Sequence, residues 1–211
     1  MLLSLGILLS YLVGSIPTAY IFGKIAKGID IRKYGSGNVG ATNAFRVLGK
    51  RMGISVLALD ALKGVVCVAG IADYCLKLGA PVDELVLRVL CGVAAVVGHS
   101  LTIFLRFKGG KGMATTLGVL IGLALKFPAL KLILLAEVLL WLIVFMLSKI
   151  VSLASIVSAV FFPIFFIILK QPLPLISASL CLSSFIIIRH KPNIIRMLQN
   201  KEPRLNFKKS K

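Results

Sequence analysis

Apolar runs recur along almost the whole chain, at about 2–23, 53–76, 85–105, 113–126, 128–148, 150–169 and 174–189. A helix rises 1.5 Å per residue, so ~20 apolar residues are needed to cross the ~30 Å of bilayer hydrocarbon. Composition agrees: the hydrophobic set is 58% of the chain and charged residues 15%, against roughly 45–50% and about 25% in soluble domains. So little charge cannot cover a water-facing surface around one core. The expectation is an all-α polytopic membrane protein with about seven transmembrane helices, in a single domain over residues 1–211. The first run starts at Met1 with no basic stretch and no A-x-A pattern before Lys24. It therefore reads as a retained helix and not as a signal peptide.

The fourth run, 113–126, is short, rich in glycine and followed by Pro128, so a re-entrant segment competes with a crossing. Charge separates the two. With seven crossings and the N-terminus outside, the inside segments hold 19 of the 25 Lys and Arg and the outside segments five, with Lys63 inside a span. Removing the fourth crossing would move the basic tail outside, against the bias of cytoplasmic loops toward Lys and Arg. The expected topology has the N-terminus outside and the C-terminus cytoplasmic.

The net charge of +18 points to a membrane lipid surface or to phosphorylated substrates. No nucleic-acid partner is expected, because the basic residues do not line one aromatic-interleaved groove. The four cysteines, Cys67, Cys75, Cys91 and Cys181, form no C-x-x-C and lie in or beside apolar runs. They read as packing, with neither a metal site nor a disulfide framework.

Three stretches are polar, glycine-rich or basic in a way that lipid packing does not require. The first is Gly35-Ser36-Gly37-Asn38-Val39-Gly40-Ala41-Thr42-Asn43 with Arg46; the second runs from Gly98-His99-Ser100 to Lys108-Gly109-Gly110-Lys111-Gly112; the third is Arg189-His190-Lys191-Pro192-Asn193 with Arg196. In the topology above all three are cytoplasmic. One such loop alone would read as a turn carrying topology signals, but three on one face read as parts of an anion site. Glycines let the backbone approach a phosphate and aim N–H groups at it. Ser36, Asn38, Thr42 and Asn43 add donors, Arg46 a bidentate fork, and Lys108 and Lys111 compact positive charges. The second stretch is not a Walker loop, since Leu105 and Gly112 stand where Gly and Ser or Thr are required. No nucleotide is expected, and no other cofactor.

Within the spans, Asp60 and Lys63 are three apart and can pair toward the bundle interior. Glu137 has no obvious sequence partner. Ser152 and Ser155 share a helix face just after Lys149.

The three stretches together resemble the three motifs of the bacterial acyl-phosphate:glycerol-3-phosphate acyltransferase family. The resemblance extends to Gly14-Ser15-Ile16-Pro17, Leu59-Asp60-x-x-Lys63-Gly64 and Ser152-Leu153-Ala154-Ser155, and so covers nearly the whole chain. It implies a seven-helix enzyme of the bacterial inner membrane. The reaction implied moves a fatty acyl group from acyl phosphate to the 1-hydroxyl of glycerol 3-phosphate, giving lysophosphatidic acid and phosphate for phospholipid synthesis. By the same resemblance Ser36 and its neighbouring glycine amides hold the acyl phosphate, while Arg46, Lys111, Ser155, His190 and Asn193 surround the two phosphorylated substrates. Pro192 stands where the family commonly has a polar residue, and Asn200 near a usual glycine.

The residue chemistry agrees. Acyl phosphate is already activated, so neither a strong general acid nor a protein nucleophile is needed. Two unit charges 4 Å apart repel by about 4 kcal/mol at an effective dielectric near 20, and Arg46, Lys108 and Lys111 offset that repulsion. The proton acceptor stays open between a phosphate oxygen of the donor, the favoured reading, and His99 or His190. His99 reads better as a loop-shaping donor. A transporter for a phosphorylated lipid precursor and a lipid-binding scaffold are the rivals. The first lacks the duplicated halves common in transporters, and the second leaves the glycine loops unexplained.

Overall fold

The computed structural model describes residues 1–205. Among them are eleven α-helices and no strand: α1 Leu2–Ser15, α2 Thr18–Lys27, α3 Ala41–Leu48, α4 Lys50–Val65, α5 Ala72–Lys77, α6 Glu84–Ser100, α7 Met113–Lys126, α8 Lys131–Ser148, α9 Val151–Ile168, α10 Leu173–Arg189 and α11 Lys191–Leu198. They fall into two compact units, Met1–Lys131 and the residues from Leu132 onward.

Five segments are long and apolar enough to cross a bilayer: Leu2–Lys27, Lys50–Lys77, Glu84–Leu105, Pro128–Ser148 and Val151–Ile168. A sixth is the pair α10–α11, bent by 55°. The seventh apolar helix, α7, has 14 residues and rises only ~21 Å, short of the ~30 Å hydrocarbon core. All seven expected segments are therefore helical, but α7 lacks the length of a full crossing. Gly112 (φ +92°) precedes it, and Phe127, extended ahead of Pro128, ends it.

In the first unit α1 packs on α6 and α4 on α7 through small residues. A Cβ at Gly14 would overlap the Ala95 backbone, and one at Gly118 the Ala61 carbonyl, so these helices meet at backbone distance. The first run is not one helix. Pro17 has no N–H and holds Ile16 at φ −55°, ψ 114°, which divides it into α1 and α2. The carbonyls at the break find side-chain donors: Thr102 Oγ1 donates to Ser15 O (2.5 Å) and Lys63 Nζ to Ile16 O (3.2 Å).

A π-helical segment, Val66–Ile71, joins α4 to α5. There Arg88 Nη1 donates to Val68 O (2.7 Å) while its Nη2 pairs with Asp73 (2.5 Å) and Glu84 (2.7 Å); Lys126 also holds Asp73 (2.5 Å). One buried guanidinium thus satisfies the irregular backbone and clamps α5 to α6.

In the second unit α9 packs on α10. Pro163 inside α9 deprives the Ala159 carbonyl of its helical donor, and Ser183 Oγ of α10 donates to that carbonyl (2.5 Å). Between α8 and α9, Ser158 Oγ donates to Glu137 Oε2 (2.5 Å) and Trp141 Nε1 to Ser155 Oγ (3.3 Å). The partner that Glu137 lacked in sequence is therefore Ser158, reached only through the helix packing.

Candidate active site

The first polar stretch hangs between α2 and α3. Asp30 accepts from Arg32 N (3.0 Å) and from the Arg32 guanidinium (2.7 Å at Nη2), and Arg32 lies over the Tyr20 ring at 5.2 Å. The guanidinium holds the Asp30 carboxyl down at about 2 against the opposing effect of burial. Beyond this anchor Gly35 (φ +60°) and Gly37 (φ +71°) take left-handed turns open to glycine. Asn43, fully buried, ties the loop from inside: its Oδ1 accepts from Ser36 N (2.9 Å), and its Nδ2 donates to Ile31 O (3.3 Å) and Tyr34 O (3.1 Å).

This geometry changes the role of several residues. The N–H of Ser36 goes to Asn43 and that of Gly37 to Tyr34 O (3.0 Å), so these two amides serve the loop where the sequence suggested an anion cradle. Asn43 likewise has both amide protons on the backbone. The side chains remain. Ser36 is exposed, Asn38 is half-buried beside Gly40, and Thr42 and Arg46, four apart, share one face of α3.

The second stretch is built by a sharp reversal after α6. Arg106 (φ +54°) and Phe107 (φ +61°) are consecutive non-glycine residues in the left-handed region, each costing about 1–3 kcal/mol. Phe107 N donates to Thr102 O (2.8 Å), Gly109 N to Ser100 O (3.1 Å) and Gly110 N to His99 O (3.0 Å). A Cβ at Gly110 would collide with His99 Nε2. Glycine is therefore required by close packing against His99, and here too the amides bond within the protein. Lys108 is exposed and Lys111 half-buried, at the entry to α7. Leu105 joins Val39 and Ala44 in one apolar cluster, so the first two stretches share a core.

Behind His99 lies a buried polar group. Asp60 Oδ1 accepts from Thr18 Oγ1 (2.5 Å), pairs with Lys63 Nζ (2.8 Å) and lies 3.6 Å from His99 Nδ1. The expected Asp60–Lys63 pair is present, with two further members.

The third stretch belongs to the second unit. His190 Nδ1 donates to Ile186 O (2.8 Å), since a carbonyl only accepts. Pro192 falls in the first turn of α11, where a missing N–H costs nothing. Asn200 takes φ +54°, the conformation a glycine would supply there. Glu202 then returns to bind three donors: Ser152 Oγ (2.7 Å), Asn193 Nδ2 (2.6 Å) and Arg196 Nε (2.7 Å). Burial pushes the Glu202 carboxyl up, but these three bonds outweigh it and hold it below the usual glutamate range. Leu205 N closes the return on Lys149 O (2.8 Å). One carboxylate thus joins the start of α9, a turn before Ser155, to Asn193.

The family model for glycerol-3-phosphate acyltransferase matches residues 4–200. The chain belongs to the glycerol-3-phosphate acyltransferase family. A glycerol-3-phosphate acyltransferase of Bacillus velezensis is 42% identical over 207 residues, 98% of this chain and 100% of that one; one from Trichormus variabilis is 40% identical, covering 96% and 91%. Among solved structures, the crystal structure of PlsY (YgiH), an integral membrane glycerol 3-phosphate acyltransferase, is similar in its glycerol 3-phosphate form with TM-score 0.84 and 35% identity, covering 97% of this chain and 96% of that one. The lysophosphatidic acid form gives TM-score 0.81 at 34% identity. Membership of this acyltransferase family removes the transporter and scaffold readings.

Three residues of the polar clusters within the two units escaped the sequence reading: Thr18 in the first, and Trp141 and Glu202 in the second. Thr18 and Trp141 carry no local signal. Glu202 did have one, as the single acid in a strongly basic tail.

Proposed function

We propose that this chain transfers a fatty acyl group from acyl phosphate to the 1-hydroxyl of glycerol 3-phosphate, giving lysophosphatidic acid and inorganic phosphate for phospholipid synthesis. The observation that carries this reading is the division of labour in the loops. The Ser36, Gly37, Gly109 and Gly110 amides are bonded internally, so the loops would meet phosphoryl oxygens through the side chains of Ser36, Arg46, Lys108 and Lys111. Glycerol 3-phosphate and lysophosphatidic acid, named for the two similar structures, are a substrate and a product of this transfer.

The hydroxyl oxygen of glycerol 3-phosphate attacks the acyl carbonyl carbon, the bond from that carbon to the phosphate oxygen breaks, and phosphate leaves with the electron pair. A phosphate oxygen takes the hydroxyl proton, so no protein base is consumed. Arg46, Lys108 and Lys111 lower the repulsion between the two anions and stabilise the charge passing to the leaving phosphate. Ser155, His190 and Asn193 bind glycerol 3-phosphate, and Ser36 the acyl phosphate. Asn43, Gly37, Gly109 and Gly110 act by shaping the two loops, with Asn38 and Thr42 flanking the first; His99 sets the second. The enzyme sits in the bacterial inner membrane with its N-terminus outside and the three motif loops cytoplasmic.

Purified protein in detergent, with no sealed compartment, should form lysophosphatidic acid when given acyl phosphate and glycerol 3-phosphate. Transport into vesicles with no product in detergent would reject the proposal.

A further inference from the structure

We infer that Asp60 is a positioning residue for acyl transfer, fixing the His99 ring and through it the Gly109–Lys111 loop. The inference rests on the reaction proposed above. Asp60 is 1% exposed, in the middle of a membrane-length helix, where a carboxylate is costly and a partner at i+3 would already neutralise it. The arrangement goes further than a neutralised pair. Lys63, Thr18 and His99 all converge on Oδ1, while Oδ2 has no hydrogen-bond partner. A group present only for charge balance would share its donors between both oxygens; this one forms a single vertex holding three elements in register.

Those elements lead to the loop. Lys63 also donates to Ile16 O and Thr18 follows Pro17, so the vertex is referenced to the break between α1 and α2. On its other side the imidazole has Nδ1 toward Asp60 and Nε2 against Gly110, where not even a Cβ fits. The ring is thus wedged between the carboxylate and the loop backbone. Gly110 precedes Lys111 directly, so a tilt of the ring moves the backbone that presents the Lys111 ammonium. Asp60 acts through His99.

The test is a double-mutant cycle on the full-length protein in detergent, reading kcat with acyl phosphate and glycerol 3-phosphate alongside Tm. Asp60→Asn removes the charge and keeps the shape; Thr18→Val removes one bond to the same oxygen at constant volume and serves if Asp60→Asn does not fold. Each should lower kcat, Asp60→Asn by about 10- to 100-fold; Asp60→Asn also leaves the buried Lys63 charge unpaired and should lower Tm, whereas Thr18→Val should leave Tm little changed. Gly110→Ala, which displaces the ring from the loop side, should lower kcat as well. Because both routes disturb one ring, the double variants should fall within about twofold of the worse single variant. Fold-changes that multiply, or folded Asp60→Asn and Thr18→Val proteins within about twofold of wild type, would overturn the positioning role alone. A wild-type protein without acyl transfer would overturn both this role and the reaction it serves.

Discussion

Lys111 sits between Gly110, packed on His99, and Gly112, whose φ of +92° starts α7. Its backbone is held on both sides by glycine geometry, and its side chain brings a positive charge to the entry of α7. Lys111→Ala should lower kcat by about 100- to 1000-fold, with Tm in detergent unchanged; turnover near wild type would remove Lys111 from the mechanism. Ser155 is held differently. Trp141 donates its indole N–H to Ser155 Oγ, which directs the hydroxyl proton away from the indole. Ser155→Ala should chiefly raise KM for glycerol 3-phosphate, and Trp141→Phe should raise it by about fivefold, the worth of one hydrogen bond, with kcat little altered. Arg46, Lys111, His190 and Asn193 stand out in the sequence as candidates because charged and amide groups beside glycines are unusual in an apolar chain. Trp141 does not, since an aromatic in a span is ordinary and its partner is 14 residues away.

At the scale of the element, irregular helices are repaired by side chains from a neighbour. The break at Pro17 is completed by Thr102 and Lys63, the π segment by Arg88, and the carbonyl freed by Pro163 by Ser183. In hydrocarbon each uncovered carbonyl would cost several kcal/mol. The spans could be read from hydropathy, and the prolines marked two of the three irregularities. The donors that repair them could not be found that way, because they lie up to 87 residues distant. At α7 length and charge point different ways: the helix is 14 residues long, short for a full crossing, while the Lys and Arg bias favours one. The return of the tail to α9 and α11 is an element-scale device with a pH signature. Glu202 is held below its ordinary range by Ser152, Asn193 and Arg196, so it is ionised in the folded state before it would be in an unfolded chain. Its contribution is complete above the usual glutamate range and is lost as pH falls through the lowered value. Protease nicking near residues 200–205 should therefore stay slow at neutral pH and accelerate only in acid. Glu202→Gln should bring that acceleration to neutral pH, and a nicking rate in this variant equal to wild type would contradict the anchor.

Across the whole molecule, the charge imbalance becomes intelligible through its acids. The chain has seven against 25 Lys and Arg, and each acid has a structural partner: Asp30 with Arg32, Asp60 with Lys63 and Thr18, Asp73 and Glu84 with Arg88, Asp83 with the N–H of Val86, Glu137 with Ser158, and Glu202 with Asn193 and Arg196. The carboxylates are thus taken up by fold-holding contacts, and Arg46, Lys108 and Lys111 stand among the many cations that exceed them in number. That excess suits an enzyme whose proposed substrates are both phosphorylated. The acyl donor is the point on which the account turns. Detergent-purified protein supplied with glycerol 3-phosphate and, in parallel, acyl phosphate or an acyl thioester of the same chain length gives the most direct measurement. The account predicts lysophosphatidic acid and inorganic phosphate in equal amounts from acyl phosphate and no product from the thioester. Equal or faster acylation from the thioester, or product without phosphate release, would contradict it.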